Sequence, residues 1–195
     1  MFITVEGVDG AGKSTLIAGL AKALQPVTVL REPGGVAVSE RIRSLLADPS
    51  LELDPRAEAL LFAAARAQLV AQKLRPLLDA GETVLLDRFV DSSLAYQGGG
   101  RGLGIEEIRT INQFGTGGLQ PDRTLLLRID PAAGLARISD RPADRLEQED
   151  GAFFAATASA YDELAAAEPD RIKVIDASQP PERVLADALA ALQSP

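Results

Sequence analysis

The residues with the clearest chemistry form a glycine-rich run near the amino terminus. Gly7-Val8-Asp9-Gly10-Ala11-Gly12-Lys13-Ser14 fits the pattern G-x-x-x-x-G-K-[S/T] and separates a strand-type segment, MFITVE, from a helix-type segment, LIAGLAKAL. Glycines let successive amide hydrogens converge on a phosphate, and the positive end of the following helix attracts the same anion. The pattern predicts that Lys13 reaches the β- and γ-phosphates and that Ser14 holds Mg²⁺. The predicted ATP-binding residues are Gly7, Val8, Asp9, Gly10, Ala11, Gly12, Lys13, Ser14 and Thr15.

Strand and helix patterns alternate along the rest of the chain. The further strand-type segments are PVTVLR, TVLLDR, TLLLRI and RIKVID, and helices are predicted at 38–47, 55–80, 105–115, 132–138, 149–167 and 181–192, with a glycine-rich loop at 98–104. Continuous apolar strands are typical of a parallel sheet that is covered on both faces. We therefore predict an α/β protein with a three-layer P-loop NTPase fold, a five-stranded parallel sheet with helices on both faces, in a single domain at 1–195.

Composition excludes several kinds of chemistry. The chain has 195 residues, no cysteine and no histidine, so disulfides, thiolate zinc sites and imidazole bases are excluded. A net charge of -8 argues against a broad nucleic-acid surface. The apolar runs are too short for a membrane span, and no signal-type segment stands at the start. We expect a cytoplasmic protein that binds neither nucleic acid nor membrane.

Two further pairs of residues are placed to bind an anionic, planar ligand. Arg31 and Arg88 each follow a predicted strand, so both should lie at the carboxyl edge of the sheet, where ligands of open α/β sheets bind. Phe62 and Arg66 are four residues apart in a predicted helix and share one face. Simpler roles are an ion pair with Asp87 for Arg88, a core position for Phe62 and a surface position for Arg66.

A phosphate loop by itself does not distinguish GTPases, motor ATPases and small-molecule kinases. Four more segments, in order along the chain, resemble the thymidylate kinase family: Arg31-Glu32-Pro33-Gly34-Gly35, Leu61-Phe62-Ala63-Ala64-Ala65-Arg66, Asp87-Arg88-Phe89 followed by Ser92-Ser93-Leu94-Ala95-Tyr96-Gln97-Gly98, and Asp144-Arg145-Leu146-Glu147. The chain resembles the bacterial type within the P-loop nucleoside monophosphate kinase superfamily. This resemblance implies transfer of the γ-phosphate of ATP to dTMP, giving dTDP for dTTP synthesis, with Mg²⁺ as cofactor and a homodimer as the assembly.

The resemblance also implies roles for single residues. Arg88 would bind the dTMP phosphate, with Arg43 as a second contact, although a solvated helix face explains Arg43 equally well. Phe62 would stack on thymine and Arg66 would bind its edge, while Tyr96 would lie beside C2′ and disfavour ribose. The implied substrate-binding residues are Asp9, Arg31, Glu32, Pro33, Arg43, Phe62, Arg66, Arg88, Ser93, Tyr96 and Gln97, and the implied metal-binding residues are Ser14 and Asp87.

A lid is implied at about 138–149. There Arg141 or Arg145 would reach the transferring phosphoryl group, and Arg137 would lie near adenine. The implied catalytic residues are therefore Lys13, Arg88, Arg141 and Arg145, and the choice between the two lid arginines stays open. A salt-bridged surface loop is the alternative for this segment.

Two other functions remain to be separated from this one. Another P-loop deoxynucleotide or deoxynucleoside kinase would share most of these motifs, but a nucleoside acceptor needs a carboxylate base beside its 5′-hydroxyl. A nucleotide-dependent switch or partitioning ATPase would hydrolyse ATP without an acceptor. A GTPase is disfavoured because Asn112, the only asparagine, is followed by Gln113 and not by the Asn-Lys-x-Asp guanine-reading pattern.

Overall fold

The computed structural model describes residues 1–140 and 142–193. Over these residues, a parallel sheet of five strands forms the centre of the molecule, in the order β2-β3-β1-β4-β5. The strands are β1 (Phe2–Gly7), β2 (Thr28–Arg31), β3 (Val84–Asp87), β4 (Arg123–Arg128) and β5 (Ile172–Asp176). In the register of the sheet, Val5 of β1 lies opposite Asp87 of β3 on one side and Leu125 of β4 on the other.

Helices connect the strands. They are α1 (Lys13–Ala23), α2 (Ala37–Ala47), α3 (Pro55–Leu69), α4 (Arg75–Asp79), α5 (Val90–Ser93), α6 (Ile105–Thr116), α7 (Pro131–Ala136), α8 (Gly151–Ala167) and α9 (Pro181–Gln193). Two π-helical segments extend these helices: Val70–Leu74 joins α3 to α4, and Leu94–Gly100 continues α5. Asp54 caps α3 by accepting hydrogen bonds from the backbone amides of Arg56 and Ala57.

Successive side chains of each strand pack on opposite faces of the sheet, as the pleat requires. Ile3, Val5 and Leu85 join one buried cluster, which α1 and α9 cover. Phe2, Val84 and Leu86 point the other way, where residues of α3, the Val70–Leu74 segment and the loop after β3 complete a second cluster. The sheet thus has apolar cover on both faces, and the predicted fold class is confirmed.

The predicted loop at 98–104 is wrong for its first three residues. Gly98, Gly99 and Gly100 end the π-helical segment that continues α5. A Cβ atom on Gly99 would lie 2.5 Å from the Cβ of Ala160, and one on Gly100 would lie 2.7 Å from the Phe153 ring. These glycines therefore let the segment pack closely against α8, a requirement between distant parts of the chain that local composition does not reveal.

Within residues 1–140 and 142–193, no helix combines the length and the apolar character needed to cross a bilayer.

Candidate active site

The phosphate loop leaves β1 at Gly7 and enters α1 at Lys13. Gly7, Gly10 and Gly12 all have positive φ angles, of 138°, 75° and 95°. At Gly10 a Cβ atom would lie 1.8 Å from the carbonyl oxygen of Gly134 in α7, so no larger residue fits there without movement of the backbone. The loop is thus shaped by positions that only glycine occupies easily.

Lys13 is held over this loop by the loop's own backbone. Its Nζ donates to the carbonyl oxygens of Gly7 and Val8, at 3.0 and 2.9 Å, and its side chain is buried. Burial, with a smaller contribution from the nearby Arg88 guanidinium, lowers the pKa of Lys13 to about 8. A phosphate anion bound in the loop would therefore stabilise the charged form of Lys13.

Arg88 connects the phosphate loop to the opposite half of the site. Its Nη2 lies 2.6 Å from Oδ1 of Asp9, and Tyr96 donates its hydroxyl to Oδ2 of the same carboxylate at 2.8 Å. Burial raises the pKa of Asp9, but the cations of Arg88 and Lys13 outweigh it and hold that pKa below its ordinary value. Asp9 is therefore an ionised partner of Arg88.

The backbone of Arg88 has a φ of 67°, which is rare for a residue with a side chain. Glu6 holds the turn that contains it. This carboxylate is fully buried at the end of β1, and it accepts from the amide of Phe89 at 2.7 Å, the hydroxyl of Ser92 at 2.5 Å and that of Tyr161 at 2.9 Å. Burial, then the nearby Asp91 carboxylate, raises the pKa of Glu6 to about 7.

Sequence reasoning missed Glu6 and Tyr161. A charged residue inside the apolar segment MFITVE was the available signal for Glu6. Nothing in the sequence marks Tyr161, because its contact with Glu6 spans 155 residues.

The second half of the site is organised around Arg66. This side chain is buried, and its Nε donates to Glu32 at 2.7 Å. Nη1 donates to Ser93 at 2.9 Å and to Asn112, and Nη2 donates to the carbonyl of Phe89 at 2.8 Å. Arg66 therefore does not occupy the surface position considered above. Asn112, which positions it, was missed as a site residue.

A single cavity of about 840 Å³ joins these two halves. Phe62 lines it and is half-buried, so Phe62 is not a core residue. The sequence-predicted residues that line the cavity are Asp9, Gly10, Ala11, Gly12, Lys13, Ser14, Thr15, Arg31, Glu32, Pro33, Arg43, Phe62, Arg66, Asp87, Arg88, Ser93, Tyr96, Gln97 and Arg137. Gly7 and Val8 are buried behind the loop, and Arg141 lies outside the described residues.

Two cavity-lining arginines already have partners. Arg31 forms an exposed ion pair with Glu40 at 2.8 Å and lines the same cavity as Arg88. Arg43 donates to the carbonyl of Pro33 at 3.0 Å and lines the cavity.

Arg145, one of the two lid candidates for catalysis, is engaged here by groups outside the phosphate loop. Its Nη1 is 2.7 Å from Glu58 and its Nε donates to the carbonyl of Leu46 at 3.0 Å. The physical reason is that Glu58 is fully buried on α3 and requires cationic partners. The predicted lid segment therefore contains an ion pair, but a buried one and not the surface ion pair of the alternative.

The alternative considered for Arg88, an ion pair with Asp87, is absent among the described residues, since Arg88 pairs with Asp9. Oδ1 of Asp87 is buried there without a hydrogen-bond partner, while Ser14 is exposed at the loop. An orphaned carboxylate oxygen and a hydroxyl are ligands that suit Mg²⁺. In the described part of the chain, no group of three or more His, Cys, Asp or Glu residues could hold a metal ion.

Comparison with known proteins identifies this arrangement. The family model of thymidylate kinase matches residues 5–188. The chain belongs to the thymidylate kinase family. It is 49% identical over 197 residues to the thymidylate kinase of Deinococcus radiodurans, covering 98% of this chain and 96% of that protein. It is also 49% identical over 202 residues to that of Lactobacillus delbrueckii subsp. bulgaricus, covering 99% and 95%.

A solved structure gives the same result. The crystal structure of thymidylate kinase from Ehrlichia chaffeensis superposes with a TM-score of 0.82 at 30% identity, covering all of this chain and 98% of that one. As a member of the thymidylate kinase family, the chain is an ATP-dependent kinase of dTMP. The predictions of family, enzyme class and substrates are confirmed.

Proposed function

We propose that the chain transfers the γ-phosphate of ATP to dTMP inside the cavity described above, with the two nucleotides meeting head to head at Arg88. One observation carries this proposal. A single cavity connects the phosphate loop to Phe62 and Arg66. Arg88 contacts the loop end of this cavity through Asp9, and its neighbour Phe89 contacts the other end, where its carbonyl accepts from Arg66.

The donor half binds ATP through the phosphate loop. The backbone amides of the loop and the start of α1 face the β-phosphate, and Lys13 exchanges its backbone acceptors for phosphate oxygens. Ser14 and Asp87 would hold Mg²⁺, which neutralises charge on the phosphates when bound. Arg137 lines the cavity with one guanidinium nitrogen tied to the carbonyl of Ala177, which suits a position beside adenine.

The acceptor half holds the dTMP phosphate by Arg88. Nη2 of Arg88 contacts Asp9 and Tyr96, and Nη1 contacts Ser92. The Nε hydrogen and one Nη1 hydrogen have no partner in the described part of the chain, and two such donors match two phosphate oxygens. Ser92 and Asp9 thus aim the guanidinium group while leaving it free to bind.

This arrangement favours a phosphate acceptor over a hydroxyl acceptor. A phosphate monoester has a second pKa of about 6 and attacks without a strong base. A deoxynucleoside kinase would need a carboxylate base beside the 5′-hydroxyl, and the carboxylate that contacts Arg88, Asp9, is ion-paired with a lowered pKa and is a poor base. The chemistry is therefore alignment and charge neutralisation, which require no histidine.

The base pocket reads the pyrimidine through Phe62 and Arg66. Phe62 presents its ring to the cavity for stacking. Four of the five N–H groups of Arg66 are bound within the protein, which leaves one Nη2 hydrogen for an acceptor on the base. Thymine differs from uracil by one methyl group, whose burial gives only about 10–200-fold discrimination. We expect dUMP to be a poor substrate that still reacts.

The lid assignment to 138–149 and the single domain at 1–195 stay predictions. Because Arg145 is engaged by Glu58, Arg141 is the remaining lid candidate for contact with the transferring phosphoryl group, and that role rests on sequence alone.

We also propose a homodimer. Helices α2, α3 and α6 lie side by side, and they expose Val38, Leu45, Leu60 and Phe114, with 93% of Phe114 exposed. An apolar face of this kind fits a second copy of the chain. The assembly would work in the cytoplasm, where ATP is available.

An ADP-release assay with ATP, Mg²⁺ and a panel of acceptors tests the proposed reaction. We expect rapid turnover with dTMP, slow turnover with dUMP, and little with dGMP, CMP or thymidine. Turnover with thymidine equal to that with dTMP would indicate a deoxynucleoside kinase, and ADP release that is independent of any acceptor would indicate a switch ATPase.

A further inference from the structure

Glu58 is a buried carboxylate on α3 that the functional assignments above do not use. Its side chain is 0% exposed. Oε2 accepts from Arg101 at 2.9 Å and from Arg145 at 2.7 Å, and Oε1 accepts from the side-chain amide of Gln97 at 3.0 Å and from Nε of Arg101 at 3.2 Å. Glu58 therefore links the lid segment, through Arg145, to a cavity-lining residue.

Glu58 is ionised in this environment. Burial raises the pKa of Glu58, but the hydrogen bonds from Arg101, Gln97 and Arg145 outweigh it and leave that pKa below its ordinary value. Two guanidinium groups also compensate the charge directly. An ionised carboxylate only accepts hydrogen bonds.

This fixes the orientation of the Gln97 amide. Because Glu58 can only accept, the NH₂ group of Gln97 must face it, and the carbonyl oxygen of Gln97 must face the other way. Gln97 lines the cavity and Glu58 does not. The Gln97 carbonyl oxygen has no donor among the residues that the structure describes, so it is the amide atom left for a ligand in the cavity.

An acceptor at this point distinguishes pyrimidines by their hydrogen-bond pattern. Thymine and uracil carry an N3–H donor beside the O4 acceptor, whereas cytosine carries an N3 acceptor beside an amino donor. The free N–H of Arg66 and the carbonyl of Gln97 together match the first pattern and oppose the second. A buried mismatch of two acceptors costs about 1–3 kcal/mol.

We propose that Glu58 is a specificity-determining positioning residue, which holds Gln97 with its carbonyl toward the base so that the pocket accepts thymine and rejects cytosine. The inference rests on the proposed function, since it requires dTMP to occupy the cavity. Glu58 acts only through Gln97 and touches neither substrate.

The variant Glu58→Gln tests this role. Two arginines donate at the Oε2 position, whereas only Nε of Arg101, at 3.2 Å, donates at the Oε1 position beside Gln97. The amide oxygen of the new side chain therefore takes the Oε2 place and its NH₂ group turns toward Gln97. Gln97 must then rotate and present its own NH₂ group to the base. We expect the ratio of kcat/KM for dTMP to that for dCMP to fall at least about tenfold, which corresponds to about 1.4 kcal/mol.

Arg101→Gln is the matched control. It removes a buried charge that contacts the same carboxylate but leaves Arg145 to keep Glu58 ionised. It should lower thermal stability while leaving the dTMP to dCMP ratio within about twofold of wild type. A purely structural role of Glu58 would reduce activity on both nucleotides equally, and an unchanged ratio in Glu58→Gln would overturn the proposal.

Gln97→Leu gives a second test that does not depend on the folding of Glu58→Gln. It removes the carbonyl acceptor and should reduce the same ratio by at least about tenfold. A ratio unchanged in Gln97→Leu would overturn the proposal, whereas wild-type protein inactive on dTMP would instead overturn the proposed function.

Discussion

At the scale of single residues, Phe62 is the cleanest test of the base pocket, because it lines the cavity and belongs to none of the buried clusters. We expect Phe62→Ala to raise the KM for dTMP by about tenfold or more, since stacking on a base contributes about 1–3 kcal/mol. The KM for ATP and the melting temperature should change little. Initial-rate kinetics with each substrate varied in turn would check this, and an equal rise in both KM values would contradict it.

Glu6 predicts how the stability of the protein depends on pH. Its pKa is about 7 in the folded protein and near 4.5 when unfolded, so the unfolded state holds the proton less tightly. The contribution of Glu6 to the free energy of unfolding is therefore fully present below about pH 4.5, and it is lost as the pH rises through 7. Over that range the loss is on the order of 3 kcal/mol.

The variant Glu6→Gln has no proton to lose and should remove this part of the pH dependence. The glutamine side chain of the variant would face the same neighbours as Glu6 does in the wild type, namely Asp91, Arg88, Lys13, Ser92 and Tyr161. Urea unfolding of both proteins between pH 5 and pH 8 would measure the difference. Parallel curves for variant and wild type would show that Glu6 does not titrate as described.

At the scale of elements, helix α3 serves two surfaces. One side presents Phe62 and Arg66 to the cavity, and Leu60 on the other side is 57% exposed. On the same helix, Glu58 holds Arg145 of the predicted lid segment. The cavity wall, the position of Arg145 and the exposed apolar face therefore all depend on the placement of one helix.

The variant Arg145→Met tests the contact between Arg145 and Glu58. Because Arg145 contacts Glu58 and not the phosphate loop, we expect a loss of about 1–3 kcal/mol in stability and only a modest change in kcat. Arg128→Met is the control, since that arginine pairs with Asp162 at the surface and should contribute little. Thermal melts and kcat values would decide; a thousandfold loss of kcat with an unchanged melting temperature would restore Arg145 to the catalytic group.

The sequence allowed the strands, most helices and the phosphate loop to be predicted, because those depend on local patterns such as the run Gly7–Ser14. The Gly98–Gly100 segment was mistaken for a loop because its glycines serve contact with α8. Long-range pairings were also inaccessible: Asp9 meets Arg88 across 79 residues, and the ion pair between Arg145 and Glu58 could not be foreseen because Glu58 looks like any other helix glutamate in the sequence.

At the scale of the whole molecule, the exposed apolar face of α2, α3 and α6 predicts self-association. Phe114→Ser should convert a dimer to a monomer, because this face would lose the most exposed large apolar side chain of the described residues. Leu51→Ser, at an exposed position outside these helices, is the control and should remain dimeric. Sedimentation velocity would measure both, and a dimeric Phe114→Ser protein would contradict this interface.

The central claim is that two nucleotides meet at Arg88 within one cavity. A crystal structure of the protein with dTMP, Mg²⁺ and a non-hydrolysable ATP analogue tests it most directly. We expect the dTMP phosphate within hydrogen-bonding distance of Arg88, thymine against Phe62, and the β-phosphate of the analogue in the loop at Lys13. A dTMP molecule bound elsewhere, with Phe62 and Arg88 free of ligand, would contradict the account.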